Sequence, residues 1–379
     1  MYFLFLIPSL IHSKLHLVIC LSVKRAPPLE TLHSARGREG TVANAFSQAG
    51  LLEVPDLSRP VLTQADYEKI YAGFKNWDRF ENDHTIVPSI SPALLLATHF
   101  LALPETFTWW VKLCLGEVAH DENLQGSKYY LKNVDPSPEN IDRAVVVIQE
   151  AARFLRLRFA NPAEDVKQAY AWCQVVCVPA EPAYFSLPCY AHPTWAEPQH
   201  ALNANILRCL TFRNAYQQFF ARPCGTIPPG LCNRVLFAMA NLIVHELAHA
   251  IELFRRPADS EGGLWHTLTD VGPEVGYSIE TAIWTARCEL RVPVCEVLGA
   301  WEQVASLVPW KVDMTHSHAS EGLGLSTTWI SQLFPEWFWE LMESKGWIAA
   351  LHETSTLQCC IWDGGSLPYL ATKTNMKIN

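Results

Sequence analysis

The sequence lacks any run of basic residues long enough to follow a phosphate backbone, and its formal net charge at pH 7 is −9. Proteins that bind DNA or RNA neutralise phosphates with clustered Lys and Arg side chains. We therefore expect no nucleic-acid partner. The sequence also contains no internal repeat.

Cysteine pairs at metal-binding spacing are absent too. The 12 cysteines are scattered, and no two of them are separated by two residues. Cys173 and Cys177 would lie one turn apart in a helix, but a structural zinc there would need two further ligands that we cannot place. We predict buried free thiols instead.

The apolar segment at residues 1–23 fits no single targeting class. It lacks the basic start and the cleavage site of a signal peptide, and His12, Lys14 and His16 interrupt it as a membrane span. A signal, an anchor and a wrongly chosen start codon stay open, and with them membrane contact. We favour a cytoplasmic location over a secreted or membrane-anchored one.

The length and composition favour one folded domain. The chain has 379 residues, 49% of them hydrophobic, and can bury a substantial core. We predict a catalytic domain over residues 61–350. An apolar and loosely ordered leader precedes it at residues 1–60, and a tail follows at residues 351–379.

The motif that indicates a chemistry is H-E-L-A-H at residues 245–249, inside the apolar segment 242–251. Residues four positions apart in a helix lie about 40° from each other on one face. His245 and His249 can therefore offer two imidazole nitrogens to one tetrahedral zinc ion. Glu246 lies about 100° round the helix, close enough to hold a water bound to that ion.

The surroundings of the motif favour a metal site over a chance match. Between Arg234 and Glu252, the only Asp, Glu, Lys or Arg residue is Glu246. An unpaired carboxylate is costly to bury in an otherwise apolar helix. A metal beside it would explain why the sequence keeps it there.

This segment resembles the zincin metallopeptidases, whose longer consensus surrounds the pentad with uncharged residues. Leu242 stands where those enzymes more often carry Val or Thr. The chain is most similar to zincin-like proteins of fungi that pair H-E-L-A-H-A with a downstream stretch like P-E-V-G-Y-S-I-E, here residues 273–280. The resemblance covers roughly residues 200–345. The consensus is matched by Ile243, Leu247, Ala248, Ala250 and Ile251.

The resemblance implies an α+β fold, mainly helical, with a metal helix, a second ligand-bearing helix and a small mixed sheet. It also implies a zinc metallopeptidase that hydrolyses peptide or protein substrates through a metal-bound water. Glu246 would be the general base and would later deliver the proton to the leaving amine. The alternative is a zinc-stabilised binding or scaffold protein without turnover.

The third metal ligand is open among three residues downstream of the motif. Glu252 and Arg255 replace the Gly and the third His of the metzincin pattern, which excludes that class. Resemblance to the gluzincins, where a Glu on the next helix completes the site, favours Glu274. His266 would give an arrangement that resembles the SprT-like proteases, but it lacks that group's following Gly, and we expect a solvated loop residue. Glu280 is the remaining candidate.

Helix geometry places these candidates differently. On a helix that starts near Pro273, Glu280 lies about 240° round from Glu274, so the two cannot both bind one ion. Periodicity alone does not separate them, because both flank the same apolar stripe. Ser278, one turn from Glu274, is a candidate hydrogen-bond partner of a metal-bound imidazole. The candidate donors to the developing oxyanion are Tyr277, His316 and His318.

Periodicity and capping signals predict the remaining elements. The metal helix should begin after the turn at Pro228 and end at Arg256, and aromatic residues near the C-terminus should pack in the core. A strand at 184–187 would run beside the metal helix, as in zincins, and hold an extended peptide by strand addition. A further strand is expected at 288–297 and a polar loop at 311–325. The other predicted helices are 63–77, 91–103, 107–118, 137–159, 163–176, 273–286 and 326–346.

Overall fold

The computed structural model describes most of the predicted domain. The described residues are 56–75, 77, 86–121, 128–152, 155–161, 171–177, 206–223, 225–255, 264–268, 270, 272–284, 287–291, 304–308, 319–347, 349–350, 358–363 and 369–371. Most of the predicted leader, the predicted strand at 184–187, and His316 and His318 lie outside them.

The fold is α+β and mainly helical, as predicted. Short 3-10 helices occur at Ala72–Lys75 and Pro104–Thr106. The α-helices are α1 (Gln64–Lys69), α2 (Ile86–Leu101), α3 (Phe107–Leu115), α4 (Pro138–Ala151), α5 (Asn214–Phe220), α6 (Pro229–Arg255), α7 (Val275–Trp284), α8 (Thr327–Gln332) and α9 (Glu336–Lys345).

The strands form three small sheets. Their orders are β1-β2-β6, β3-β5-β4 and β11-β10-β9-β8-β7. The strands are β1 (Val118–Asp121), β2 (Lys128–Leu131), β3 (Leu155–Ala160), β4 (Ala171–Cys177), β5 (Ile206–Arg213), β6 (Leu264–Trp265), β7 (Arg287–Arg291), β8 (Val304–Val308), β9 (Ala319–Gly324), β10 (Gln358–Asp363) and β11 (Tyr369–Ala371).

Helix α6 is the predicted metal helix and lies at the centre of the fold, packed against α2, α7, α8 and β4. Its 27 residues span about 40 Å. It begins where the Pro228 carbonyl accepts the Cys232 N–H. At its other end the Arg255 guanidinium donates to the carbonyls of Cys114 and Gly116, which fixes α6 against the chain that leaves α3.

Within the described residues, one helix is long and apolar enough to span a membrane, at Pro229–Leu253 of α6. Helix α2 together with residues Pro104–Leu115 would be a second if this pair, which is bent by 58°, formed one span. In the 18-residue apolar window of the α6 stretch, 83% of the residues are buried inside the fold. The apolar character of α6 is therefore that of a core helix.

The sheet β3-β5-β4 is mixed, as predicted, but two of its strands, β3 and β4, lie where helices were expected. Helix 137–159 was predicted too long, because α4 ends at Ala151 and β3 follows. The segment L-R-L-R-F alternates apolar and basic residues, and its buried residues Leu155 and Leu157 pair in parallel with β5. This alternation with a period of two residues indicates a strand, and the pairing with β5 favours a strand over a continued helix.

The predicted helix at 163–176 is wrong over residues 171–176, and residues 163–170 lie outside the described part of the chain. Residues 171–177 form β4, which pairs antiparallel with β5 and is the edge strand of its sheet within the described chain. Cys173 and Cys177 therefore lie on one strand, not on one helical turn. The thiols of Cys114, Cys209 and Cys232 are buried, as predicted, whereas Cys173 is only half-buried.

An aromatic cluster holds α7 against α6. The Trp284 indole donates to Asn241 of α6 at 2.6 Å and packs edge-on to Phe100 of α2 at 5.1 Å. The Trp347 indole donates to the Ile283 carbonyl at 2.8 Å. These contacts fix the position of α7, whose first turn approaches the motif.

The C-terminal part of the chain departs from the predictions in two places. One helix was predicted at 326–346, but Pro335 separates α8 from α9, consistent with its missing N–H donor. The predicted loop at 311–325 ends in β9, which pairs with β10. Strands β10 and β11 both lie in the segment predicted as a tail.

Candidate metal centre

Three side chains converge beside the middle of α6. His245 and His249 present their Nε2 atoms on the same face, and Glu274, immediately before α7, faces both of them. Glu274 Oε1 lies 2.6 Å from His249 Nε2 and 3.6 Å from His245 Nε2. One ligand atom from each residue lies within 4.8 Å of the other two. Of the three candidates for a third ligand, Glu274 is the one that the structure brings to both imidazoles.

The geometry of these atoms fits a zinc ion. Tetrahedral coordination at about 2.0 to 2.1 Å places ligand atoms about 3.3 Å apart. The two Glu274 distances, 2.6 and 3.6 Å, lie on either side of that value. A shift of under about 1 Å in the carboxylate would therefore equalise them.

Gly276 provides the room that the ligand atoms need. A Cβ at this position would lie 2.3 Å from His245 Nε2, closer than any side chain tolerates. The glycine therefore lets the first turn of α7 lie directly against the imidazole. An alanine at this position would force the His245 ring to move.

Glu274 is held in place by the start of α7. Its carbonyl accepts the Ser278 N–H at 3.1 Å, and its Oε1 accepts the Gly276 N–H at 3.1 Å. It is thus the N-cap of the helix, where a carboxylate satisfies free backbone donors and interacts favourably with the helix dipole. The predicted start of this helix, at Pro273, is two residues too early.

Glu280 contacts the other side of the His245 ring. Its Oε1 lies 2.7 Å from His245 Nδ1, and the residue is 3% exposed. It therefore faces away from the shared ligand position and is not a third ligand. It occupies the role that sequence analysis gave to Ser278, the partner of an imidazole.

Glu252 contacts His249 in a similar way. Its Oε2 lies 3.6 Å from His249 Nδ1, and its Oε1 accepts the Leu264 N–H at 3.1 Å. In the sequence, Glu252 shows only a departure from the metzincin pattern. The missed signal was its spacing of three residues from His249, which places both on one helical face.

Glu246 lies beside the cluster and is 4% exposed. Its carboxylate accepts a hydrogen bond from the Cys173 N–H of β4. Burial raises the pKa of Glu246, although both imidazoles and the Cys173 bond act in the opposite direction. A carboxylate with a raised pKa next to two imidazoles is suited to proton transfer near neutral pH.

The imidazoles and carboxylates of the cluster strongly shift one another's pKa values. Burial lowers the pKa of His249, but its bonds to Glu252 and Glu274 outweigh burial and bring the pKa to about 10. Burial raises the pKa of Glu274, but His249 and His245 outweigh it and lower the pKa to about 2. The carboxylates therefore favour protonated imidazoles. A divalent cation carries the same charge as the two extra protons of these imidazoles, so it would satisfy the same carboxylates.

His266 is not a solvated loop residue, contrary to the prediction. It is 5% exposed, its ring stacks on Trp109 with centroids 4.5 Å apart, and its Nε2 contacts the Trp109 carbonyl at 3.1 Å. Ser278 accepts a hydrogen bond from the Trp109 indole at 2.9 Å. Both residues contact Trp109. Among the described contacts, neither residue is hydrogen-bonded to an imidazole of the motif.

Tyr277 stands next to the cluster. Its ring is perpendicular to that of His245, with centroids 5.1 Å apart, and the residue is half-buried.

Comparison with protein-family models, with curated proteins and with solved structures finds no match to this chain. The function is therefore argued from the site alone.

Proposed function

We propose that the chain is a zinc-dependent metallopeptidase, with His245, His249 and Glu274 as the metal ligands. The observation that carries the proposal is the convergence of two imidazole nitrogens and one carboxylate oxygen within 4.8 Å, beside the buried carboxylate of Glu246. A purely structural zinc site is closed by its ligands and needs no base. The presence of Glu246 favours a catalytic site over a scaffold.

When bound, zinc would lower the pKa of a coordinated water and polarise the scissile carbonyl. Glu246 takes a proton from the attacking water and later delivers it to the leaving amine nitrogen. The Cys173 N–H holds the Glu246 carboxylate in one orientation. The ring of Tyr277 places a phenol beside His245, where it is a candidate donor to the developing oxyanion.

The edge of β4 that faces away from β5 is unpaired within the described residues, and it supports a peptide substrate. Cys173 gives its N–H to Glu246, so its backbone faces away from β5. Backbone direction alternates along an antiparallel strand, so the N–H and carbonyl of Val175 face the same way. An extended peptide could pair with this edge and bring a scissile bond to Glu246. The strand predicted at 184–187 for the same role lies outside the described residues.

The proposal predicts the behaviour of a Glu246→Gln variant. The amide cannot accept the proton of the attacking water, so hydrolysis should fall by about 100-fold or more. Zinc content should stay near one per chain, because Glu246 is not a ligand. Metal analysis of the purified protein and cleavage of casein or a peptide library measure both quantities.

Two results separate the proposed peptidase from the alternative. Cleavage that a chelator abolishes and zinc restores supports the peptidase. One zinc per chain with no cleavage of any peptide in the library supports a zinc-stabilised binding or scaffold protein. Loss of zinc from Glu246→Gln would show that Glu246 binds the metal.

A further inference from the structure

Glu252 is a buried carboxylate with two separate partners. It is 1% exposed, and it lies one turn after His249 on the same face of α6. One oxygen faces His249 Nδ1 at 3.6 Å, and the other accepts the Leu264 N–H at 3.1 Å. Leu264 begins β6, which pairs in parallel with β2. A single side chain thus joins the motif to a neighbouring sheet.

We propose that Glu252 is a positioning residue for the metal centre, acting through His249 and anchored by β6. It holds the proton of His249 on Nδ1, so that the lone pair of Nε2 faces the position shared with His245 and Glu274. The metal affinity of the site then depends on the docking of β6 onto α6. This inference rests on the proposed function, because it takes those three residues as the ligands.

The chemistry of the imidazole explains why a carboxylate is needed. A neutral imidazole carries one proton, and the nitrogen that binds a metal must be the one without it. An acceptor beside Nδ1 fixes that choice and the orientation of the ring. Glu280 supplies an acceptor to His245 at 2.7 Å, and Glu252 supplies one to His249. Each imidazole of the motif therefore has its own carboxylate.

Anchoring β6 alone would not require this residue type. The Leu264 N–H needs one acceptor, and the amide of a glutamine would provide it at a lower desolvation cost than a carboxylate. The two oxygens of Glu252 face two different groups, the Leu264 N–H and the His249 Nδ1. A carboxylate offers an oxygen to each of them, whereas an amide offers one oxygen and a donor group. Glu252→Gln therefore keeps an acceptor for only one of the two.

The test compares three variants of the full chain: Glu252→Gln, Glu252→Asp and Asn233→Leu. Asn233 is the control, since it is buried on α6, donates to Ser331 at 2.8 Å and lies more than three turns before His245. Zinc affinity is measured by competition with a chelator, and Co²⁺ absorption reports the geometry of the ligands. Thermal melting in excess chelator measures the stability of the metal-free fold.

Glu252→Gln should lower zinc affinity by about 10- to 100-fold and change the Co²⁺ spectrum. Glu252→Asp keeps two acceptor oxygens and should recover part of that affinity. Asn233→Leu should lower the metal-free melting temperature and keep the affinity and spectrum of the wild type. This pattern would separate positioning of His249 from a general loss of stability.

Wild-type zinc affinity and an unchanged Co²⁺ spectrum in Glu252→Gln would overturn the inference and leave the proposed peptidase standing. An equal loss of affinity in Asn233→Leu would overturn it as well, because stability alone would then explain the effect. A wild-type chain that binds no zinc would remove the proposed function and this inference together.

Discussion

At the scale of single residues, Gly276 sets the shape of the candidate site. Its missing side chain is what lets the first turn of α7 lie against His245, since a Cβ would stand 2.3 Å from Nε2. In the sequence, this glycine is one residue of the segment 273–280 with no pattern that marks it as special. Its significance depends on how closely two helices approach, which no local pattern in the sequence encodes.

We predict that Gly276→Ala loses zinc affinity by about 100-fold or more, because the methyl group must displace a ligand imidazole. Gly272→Ala is the matched control, since nothing lies within 4 Å of its Cβ position. Zinc per chain after identical dialysis, with Glu274→Ala as the benchmark for a lost ligand, measures the effect. Full zinc retention in Gly276→Ala would contradict the proposed position of the ion.

At the scale of elements, the sequence predicted the metal helix and the ligand-bearing helix better than the sheet beside them. Helix α6 has a start signal at Pro228, an apolar interior and a basic end, and each of these is local. Strands β3 and β4 depend on pairing with β5, which lies more than 25 residues further on. Helices and strands are predicted from short stretches of sequence, and such a stretch contains no information on a pairing partner this far along the chain.

The candidate site divides in the same way. His245, Glu246 and His249 follow from one helical motif, and a family resemblance suggested Glu274. The sequence does not reveal which carboxylates lie beside the Nδ1 atoms of the two imidazoles. In the sequence, Glu280 is a candidate metal ligand and Glu252 is a departure from the metzincin pattern. Whether a carboxylate faces Nε2 or Nδ1 of a ring depends on the packing of α7 against α6.

The edge of β4 yields a prediction for an element. Val175→Pro removes one outward N–H from the edge that faces the site, so kcat/KM for peptides should fall by about 5- to 10-fold, the value of one hydrogen bond. The fold should tolerate it, because an outward N–H at an edge strand is not part of the sheet. Peptide kinetics and the melting temperature of the metal-free protein measure the two effects.

Gln174→Pro is the control for that variant. The Gln174 N–H faces β5 in the alternating pattern, so this change should lower the stability of the fold by about 3 kcal/mol. Activity lost in proportion to stability in both variants would contradict a role for the edge of β4 in substrate binding.

At the scale of the whole molecule, the core and the candidate site share helix α6. The same helix buries apolar residues against α2 and α8 and presents the two histidines to α7. The unfolded chain cannot assemble ligands from α6 and from the start of α7, so bound zinc would stabilise only the folded state. Stability and metal binding should therefore be measured separately, with the metal-free protein as the reference.

The last prediction concerns the acid stability of that metal-free protein. His99 of α2 stacks on Trp339 of α9 with ring centroids 4.2 Å apart, and burial lowers its pKa from 6.5 to about 4. The Glu336 carboxylate raises the pKa of His99 and so opposes the effect of burial, whereas Lys69 lowers this pKa further. The folded state therefore holds this imidazole neutral in a pH range where the unfolded chain protonates it.

The sign of the effect follows from which state binds more protons. Between pH 6.5 and about 4 the unfolded state binds the His99 proton more tightly, so the free energy of unfolding falls as pH falls through this window. Above pH 6.5 both states are neutral at this residue, and its contribution is fully present. His99→Phe keeps a ring against Trp339 but cannot titrate, and should lose about 1 to 3 kcal/mol less on acidification than the wild type. Urea unfolding in excess chelator, followed by tryptophan fluorescence at several pH values, measures the difference, and equal slopes for the two proteins would show that His99 titrates alike in both states.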